Sequence, residues 1–142
     1  MLRLPHFALI LMLSLAGAAC GDDDTPTSPS LGIPYSATDL VVGTGTPATL
    51  GRSVTLYYTG WLYSTTAPEN KGAQFDSNST GFTYTHGVGV IAGFTQGVNG
   101  MRVGGRRRVI IPPELGYGPQ GSGGTIPGNA TLIFELELVA AQ

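Results

Sequence analysis

Apolar and polar positions alternate most cleanly in two stretches. Over 52–62, Val54, Leu56 and Tyr58 fall on one face, and Ser53, Thr55, Tyr57 and Thr59 on the other. Over 131–138, Leu132, Phe134, Leu136 and Leu138 fall inward. Thr131, Glu135 and Glu137 fall outward, with Ile133 the apolar exception. Shorter strands are predicted at Thr38–Val42, which ends at the turn cluster Gly43–Pro47, and at Phe82–Thr85, where Phe82 and Tyr84 share a face. Ser64–Gln74 contains Pro68, Asn70 and Gly72 and reads as a loop, after which Phe75-Asp76 ends a short strand. Arg106–Ile111 is a compact strand stopped by Pro112-Pro113, which cannot donate to a ladder.

The period changes once. Ile91, Phe94, Val98 and Met101 recur at helical spacing, so one short helix is predicted. Gly93, Gly97 and Gly100 make its intrinsic propensity poor, and such a helix needs tertiary packing to survive. Strands, one helix, then two more strands predict an α+β domain: a curled antiparallel β-sheet wrapped around one short α-helix.

Length allows one ordinary domain, and the ends of the chain refine its boundaries. Met1–Ala19 carries Arg3, an apolar run from Phe7 to Ala16 and then small residues, the pattern of a signal peptide too short to span a membrane. Cys20 is the only cysteine. The segment resembles a bacterial lipoprotein signal in which that cysteine is lipidated, although Gly17 departs from the usual pattern. Ala16-Gly17-Ala18 also fits ordinary cleavage, which would leave Cys20 a free thiol. Residues 20–35 have too few apolar side chains to fold and read as a flexible, proline-stiffened tether. Residues 36–142 form the folded domain. A lipid-anchored protein exported to the periplasm or the cell exterior is the expectation, held on a bacterial membrane by acyl chains.

The formal net charge of −2 offers no basic excess for nucleic acid. The one basic run, Arg106–Arg108, alternates faces in a strand and reads as solvated strand edge. Catalytic triads and metal cages lack material: His6 lies in the leader, and His86, beside Gly87, reads as a surface or loop histidine. No metal and no cofactor are expected. The remaining chemistry is aromatic. Tyr58, Phe75, Phe82, Phe94, Tyr117 and Phe134 come from separate elements, and a plain aromatic core accounts for any one of them. Asp76 beside Phe75, and Tyr117 on a glycine-flanked loop, point instead to an apolar cleft with a few polar groups.

Tyr58-Thr59-Gly60, Phe75-Asp76-Ser77, Val90-Ile91-x-Gly93, Gly100-Met101-x-Val103-Gly104, Ile110-x-Pro112 with Tyr117-Gly118, Ile126-Pro127 and Ala130–Phe134 occur in that order. Together they resemble the FK506-binding-protein (FKBP) type peptidyl-prolyl isomerases over about residues 39–139. The resemblance implies a cleft between helix and sheet that takes a prolyl ring, lined by Tyr58, Phe75, Asp76, Phe82, Val90, Ile91, Phe94, Tyr117, Ile126 and Phe134. It assigns catalysis to Phe75, Asp76, Tyr117 and Phe134 and substrate binding to the others. The Ile91 N–H and Tyr117 hydroxyl would hold substrate carbonyls, and Asp76 would bias the carbonyl or support Tyr117. Phe94 stands where the family often has tryptophan. Its truncation is expected to weaken pocket binding more than fold stability. The resemblance also implies a monomer acting on proline-containing polypeptides of the export pathway and able to take macrolides of the FK506 type. The alternative is a non-catalytic proline-binding or chaperone module tethered to a membrane.

Overall fold

The computed structural model describes residues 30–142; the leader over 1–19, Cys20 and the tether up to residue 29 lie outside the described residues. Five strands, β1 (Ser36–Val41), β2 (Ser53–Tyr63), β3 (Lys71–Thr85), β4 (Arg106–Ile111) and β5 (Leu132–Ala141), form one antiparallel sheet in the order β1-β4-β5-β2-β3. The single α-helix among the described residues, α1 (Ala92–Val98), packs on one face. Leu56, Val98, Val109, Ile111, Leu132, Leu136 and Leu138, none more than 1% exposed, fill the space between helix and sheet. The α+β reading holds, with the inward faces of β2 and β5 as the alternation predicts.

The glycines that weaken α1 are also what lets it approach the sheet. A Cβ on Gly93 would collide with the Ile111 side chain, and one on Gly97 would sit 2.7 Å from Val109 Cγ2. Close packing against β4 therefore replaces the propensity the helix lacks.

Three expectations change. The segment read as a loop to Gln74 is shorter: Pro68–Asn70 makes one 3-10 turn, and β3 begins at Lys71. The two short strands at Phe75-Asp76 and Phe82–Thr85 are one strand interrupted by a bulge. Leu56 pairs with Phe82 but Tyr58 with Asn78. At the bulge, Asn78 Oδ1 accepts from the N–H groups of Thr80 (3.1 Å) and Gly81 (2.9 Å), and Gly81 takes φ +112°. Side-chain acceptance there replaces ladder bonds, so the alternation vanishes from the sequence while the strand continues.

Within the arginine run only Arg106, its side chain 50% exposed, is solvated edge. Arg107 pairs with Asp39 across β1 (2.7 Å) and donates to the Gly97 and Asn99 carbonyls at the end of α1 (2.9 and 3.3 Å), tying helix to sheet. On the opposite face Arg108 and Lys71 both bridge Glu69 and Glu135, at 2.8–3.0 Å, in a closed ring. That ring fastens the Pro68–Asn70 turn to the sheet. Lys71 also lies 4.8 Å over the Trp61 ring, and Ile133 beside it is 1% exposed. The apolar exception on β5 is therefore buried, opposite Trp61 in the sheet.

Candidate active site

The parts of β3 on either side of its bulge, the N-terminal end of α1 and the loop after β4 converge on a cleft of about 410 Å³. Its walls are Tyr58 from β2, Phe75, Asp76 and Phe82 from β3, Gly89, Val90 and Ile91 before α1, Phe94 on α1, Tyr117, and Phe134 from β5. The aromatic rings meet edge to face: Phe94 is 5.3 Å from Phe134 and 5.8 Å from Tyr58, and Phe75 is 5.5 Å from Phe134. Gly60 makes this possible, because a Cβ there would lie within 3 Å of both Phe75 and Phe134. Phe94 is 4% exposed, so the floor of the cleft is also the top of the core.

Asp76 is the sole charged side chain among the lining residues. Its Oδ2 accepts from the Tyr58 hydroxyl at 2.8 Å. Support of Tyr117 by Asp76 is thus not a hydrogen bond; the bonded phenol is Tyr58. Burial, and then the hydrogen bond and charge of Asp76, push the Tyr58 hydroxyl up to about 12. Burial first, then the Asp76 carboxylate, also raise Tyr117. Both phenols are therefore protonated donors at neutral pH. Tyr117 is 38% exposed and stands at the rim. Ile91 lies at the N-cap of α1, where its carbonyl accepts from Phe94 and Thr95, and its N–H has no acceptor among the described residues.

Nine of the ten residues expected at the cleft line it together. Ile126 does not. It is 6% exposed in the core, and its backbone pairs with Ser122 in both directions (2.9 and 3.0 Å), closing the loop after Tyr117. Gly89 was missed, having no side chain to signal a wall. Tyr84 was also missed: it stacks on Phe82 at 5.0 Å and meets Phe94 edge-on at 6.1 Å behind the cleft. Its shared face with Phe82 was the available signal.

His86 is 1% exposed rather than a surface group. Its Nδ1 lies 3.3 Å from the Tyr84 hydroxyl, and burial lowers its proton affinity below the usual histidine range. Its backbone is paired with the adjoining turn: Gly51 donates to the His86 carbonyl and His86 donates to that of Arg52.

The cleft and its sheet match one family. The profile described as FKBP-type peptidyl-prolyl cis-trans isomerase covers residues 44–139. An FK506-binding protein of Neisseria meningitidis serogroup A is 49% identical over 105 residues, spanning 71% of this chain and 90% of that protein. A solved peptidyl-prolyl cis-trans isomerase from Pseudomonas syringae pv. tomato superposes with a TM-score of 0.66 at 30% identity, covering 86% of each chain. FkpA from Escherichia coli superposes with a TM-score of 0.65 at 32% identity, over 76% of this chain and 48% of that one, so this chain spans about half of FkpA. The chain belongs to the FKBP-type peptidyl-prolyl cis-trans isomerases, enzymes that rotate X-Pro peptide bonds.

Proposed function

We propose that the cleft isomerises X-Pro bonds by seating the prolyl ring on Phe94 between Phe75, Tyr58 and Phe134. The observation that carries this is a preformed cavity with an aromatic floor and one polar edge, the usual form of a small-ligand site. An amide resists rotation by roughly 18–20 kcal/mol because its nitrogen lone pair is delocalised. The planar amide is more charge-separated than the twisted one, so an apolar wall favours the twisted state in relative terms, which is differential binding in the sense catalysis needs. In this reading the unpartnered Ile91 N–H and the Tyr117 hydroxyl receive the substrate carbonyls. Asp76 holds Tyr58 and so fixes one wall. No covalent intermediate is required.

The finer reading places the enzyme outside the cytoplasm. It is a monomer tethered through a lipidated Cys20 and a 20–35 linker, acting on exported polypeptides, with FK506-type macrolides competing for the same cleft. The leader and the sole cysteine in the sequence support this. Isomerisation of a tetrapeptide followed by NMR exchange tests the site: a rate increase abolished competitively by the macrolide is expected, and catalysis indifferent to it would refute the assignment. Incorporation of labelled palmitate, lost in Cys20→Ser, tests the anchor.

A further inference from the structure

Phe82, Tyr84 and His86 alternate along the end of β3 and just past it, and all three turn inward. Phe82 lines the cleft; Tyr84 and His86 do not. Tyr84 stands directly behind two of the cleft's rings. It stacks on Phe82 at 5.0 Å, with 18° between the planes, and meets Phe94 edge-on at 6.1 Å. Phe82 and Phe94 in turn each meet Tyr58, at 5.6 and 5.8 Å. β3 is an edge strand with β2 on one side only, so its rings have no second strand to hold them. The far end of the row is His86. Its ring meets Tyr84 edge-on at 6.2 Å, with Nδ1 3.3 Å from the Tyr84 hydroxyl. Its Nε2 has no hydrogen-bond partner among the described residues, so that hydroxyl is the ring's one bonded neighbour. Backbone bonds with Gly51 (3.0 Å) and Arg52 (2.8 Å) fix the position from which the ring projects.

We infer that His86 and Tyr84 are positioning residues of the prolyl cleft: the neutral imidazole holds the Tyr84 phenol by its hydroxyl, and the phenol holds the Phe82 wall and the Phe94 floor. This role rests on the prolyl cleft proposed above and makes its shape depend on one proton. With the imidazole neutral, Nδ1 and the hydroxyl satisfy each other. Protonation turns both ring nitrogens into donors, so the Tyr84 proton loses its acceptor, and the new charge lies on a ring 1% exposed. The titratable group facing the ring is Tyr84 on β3, whose own proton burial holds firmly in place. Arg52, from the adjoining turn, meets His86 through its backbone carbonyl. Burial lowers the proton affinity of His86, and the Asn99 side chain just after α1 partly offsets this; no charged side chain acts on it. The pair is therefore intact at neutral pH and comes apart as the pH falls below about 6.5, the ordinary histidine value.

The test reads KM and kcat for one X-Pro peptide between about pH 8 and pH 5 in the wild type, His86→Leu, His86→Gln and Tyr84→Phe, each below its melting transition. His86→Leu leaves the phenol without its partner. Its KM near pH 7.5 should rise about fivefold with kcat little changed, because a ring wall touches the planar and twisted amide alike. His86→Gln, whose amide can pair with the phenol and does not titrate, should restore most of the loss. In the wild type KM should rise by a similar factor on acidification, with the midpoint of the His86 imidazole signal followed by NMR. That rise should be absent in His86→Gln and in Tyr84→Phe, which keeps the ring and removes only the hydroxyl. A wild-type KM that stays flat while His86 titrates, a rise that persists in His86→Gln, or an unchanged KM in His86→Leu overturns the positioning role. The Phe82 and Phe94 ring resonances give a reading without turnover: they should move with the His86 midpoint in the wild type and hold still in His86→Gln, and rings that ignore the titration overturn the role as well. Absence of turnover at every pH refutes the prolyl-isomerase reading instead, and the ring resonances then decide the positioning role by themselves.

Discussion

Phe94→Ala removes a side chain that belongs to both the cleft and the core. The ring is 4% exposed and meets Phe134, Tyr58 and Tyr84 at centroid distances of 5.3, 5.8 and 6.1 Å. Truncating a buried phenylalanine costs about 3–5 kcal/mol. Here the vacated space opens onto the 410 Å³ cleft rather than closing into a sealed void, so water can enter and the cost belongs at the lower end, ~3 kcal/mol. At ~4–8 °C per kcal/mol for a small domain, the melting temperature should fall by roughly 12–24 °C. The prolyl ring loses its floor as well. Burying such a group is worth about 1.5–3 kcal/mol, so kcat/KM should drop roughly 10- to 100-fold. Stability and activity fall together, contrary to the sequence expectation of a loss confined mainly to binding. Urea unfolding reads the first as a lower midpoint at unchanged slope, and the peptide assay below the melting transition reads the second. Phe94→Leu, which keeps an apolar floor, should recover most of both. A stability loss under about 1 kcal/mol with KM unchanged would refute the shared-floor reasoning.

Gly93→Ala should destabilise by about 1–3 kcal/mol in chemical denaturation although alanine favours helix by about 1 kcal/mol, because the added Cβ meets Ile111; an unchanged or higher midpoint would mean α1 stands further from β4. Glu135→Gln should cost about 1–3 kcal/mol, since Lys71 and Arg108 each approach Glu135 at 2.8 Å on a side chain only 19% exposed. Glu137→Gln, whose Arg106 partner is 4.0 Å away with both half-exposed, should cost under about 0.5 kcal/mol in the same measurement. His86 has a folded-state proton affinity below its unfolded value, so its neutral form is the native one. The unfolded chain takes up the proton first as pH falls, and the unfolding free energy should decline below about pH 6.5. His86→Leu should flatten that decline between pH 7 and 5 in urea titrations; an equally steep decline would place its origin elsewhere.

Much of the fold was legible because its signals are local. The period of two over 52–62 and 131–138, and the period of 3.6 at Ile91, Phe94 and Val98, need only neighbouring residues to be read. The cleft was legible because an aromatic residue recurs in each contributing element and the order of motifs matched a family. Tyr58, Phe75, Asp76, Phe82, Val90, Ile91, Phe94, Tyr117 and Phe134 indeed converge. Where the pattern was broken, the reading failed. Asn78–Gly81 looks like a turn because its side-chain hydrogen bonds replace the ladder, and only the register with β2 shows that β3 continues through it.

Partnerships across the sheet were decided by tertiary structure alone. The sequence determined that Arg106, Arg107 and Arg108 alternate faces. It could not determine that Arg107 meets Asp39 and the end of α1, or that Arg108 shares Glu135 and Glu69 with Lys71. Those contacts depend on strand order, which joins β4 to β1 and β5 over long separations. The same holds for the burial of His86 beside Tyr84, for that of Ile126 in the core, and for the Tyr58–Asp76 bond. Periodicity fixes which way a side chain faces along its own strand, whereas burial and partners are set by whatever the rest of the chain brings opposite.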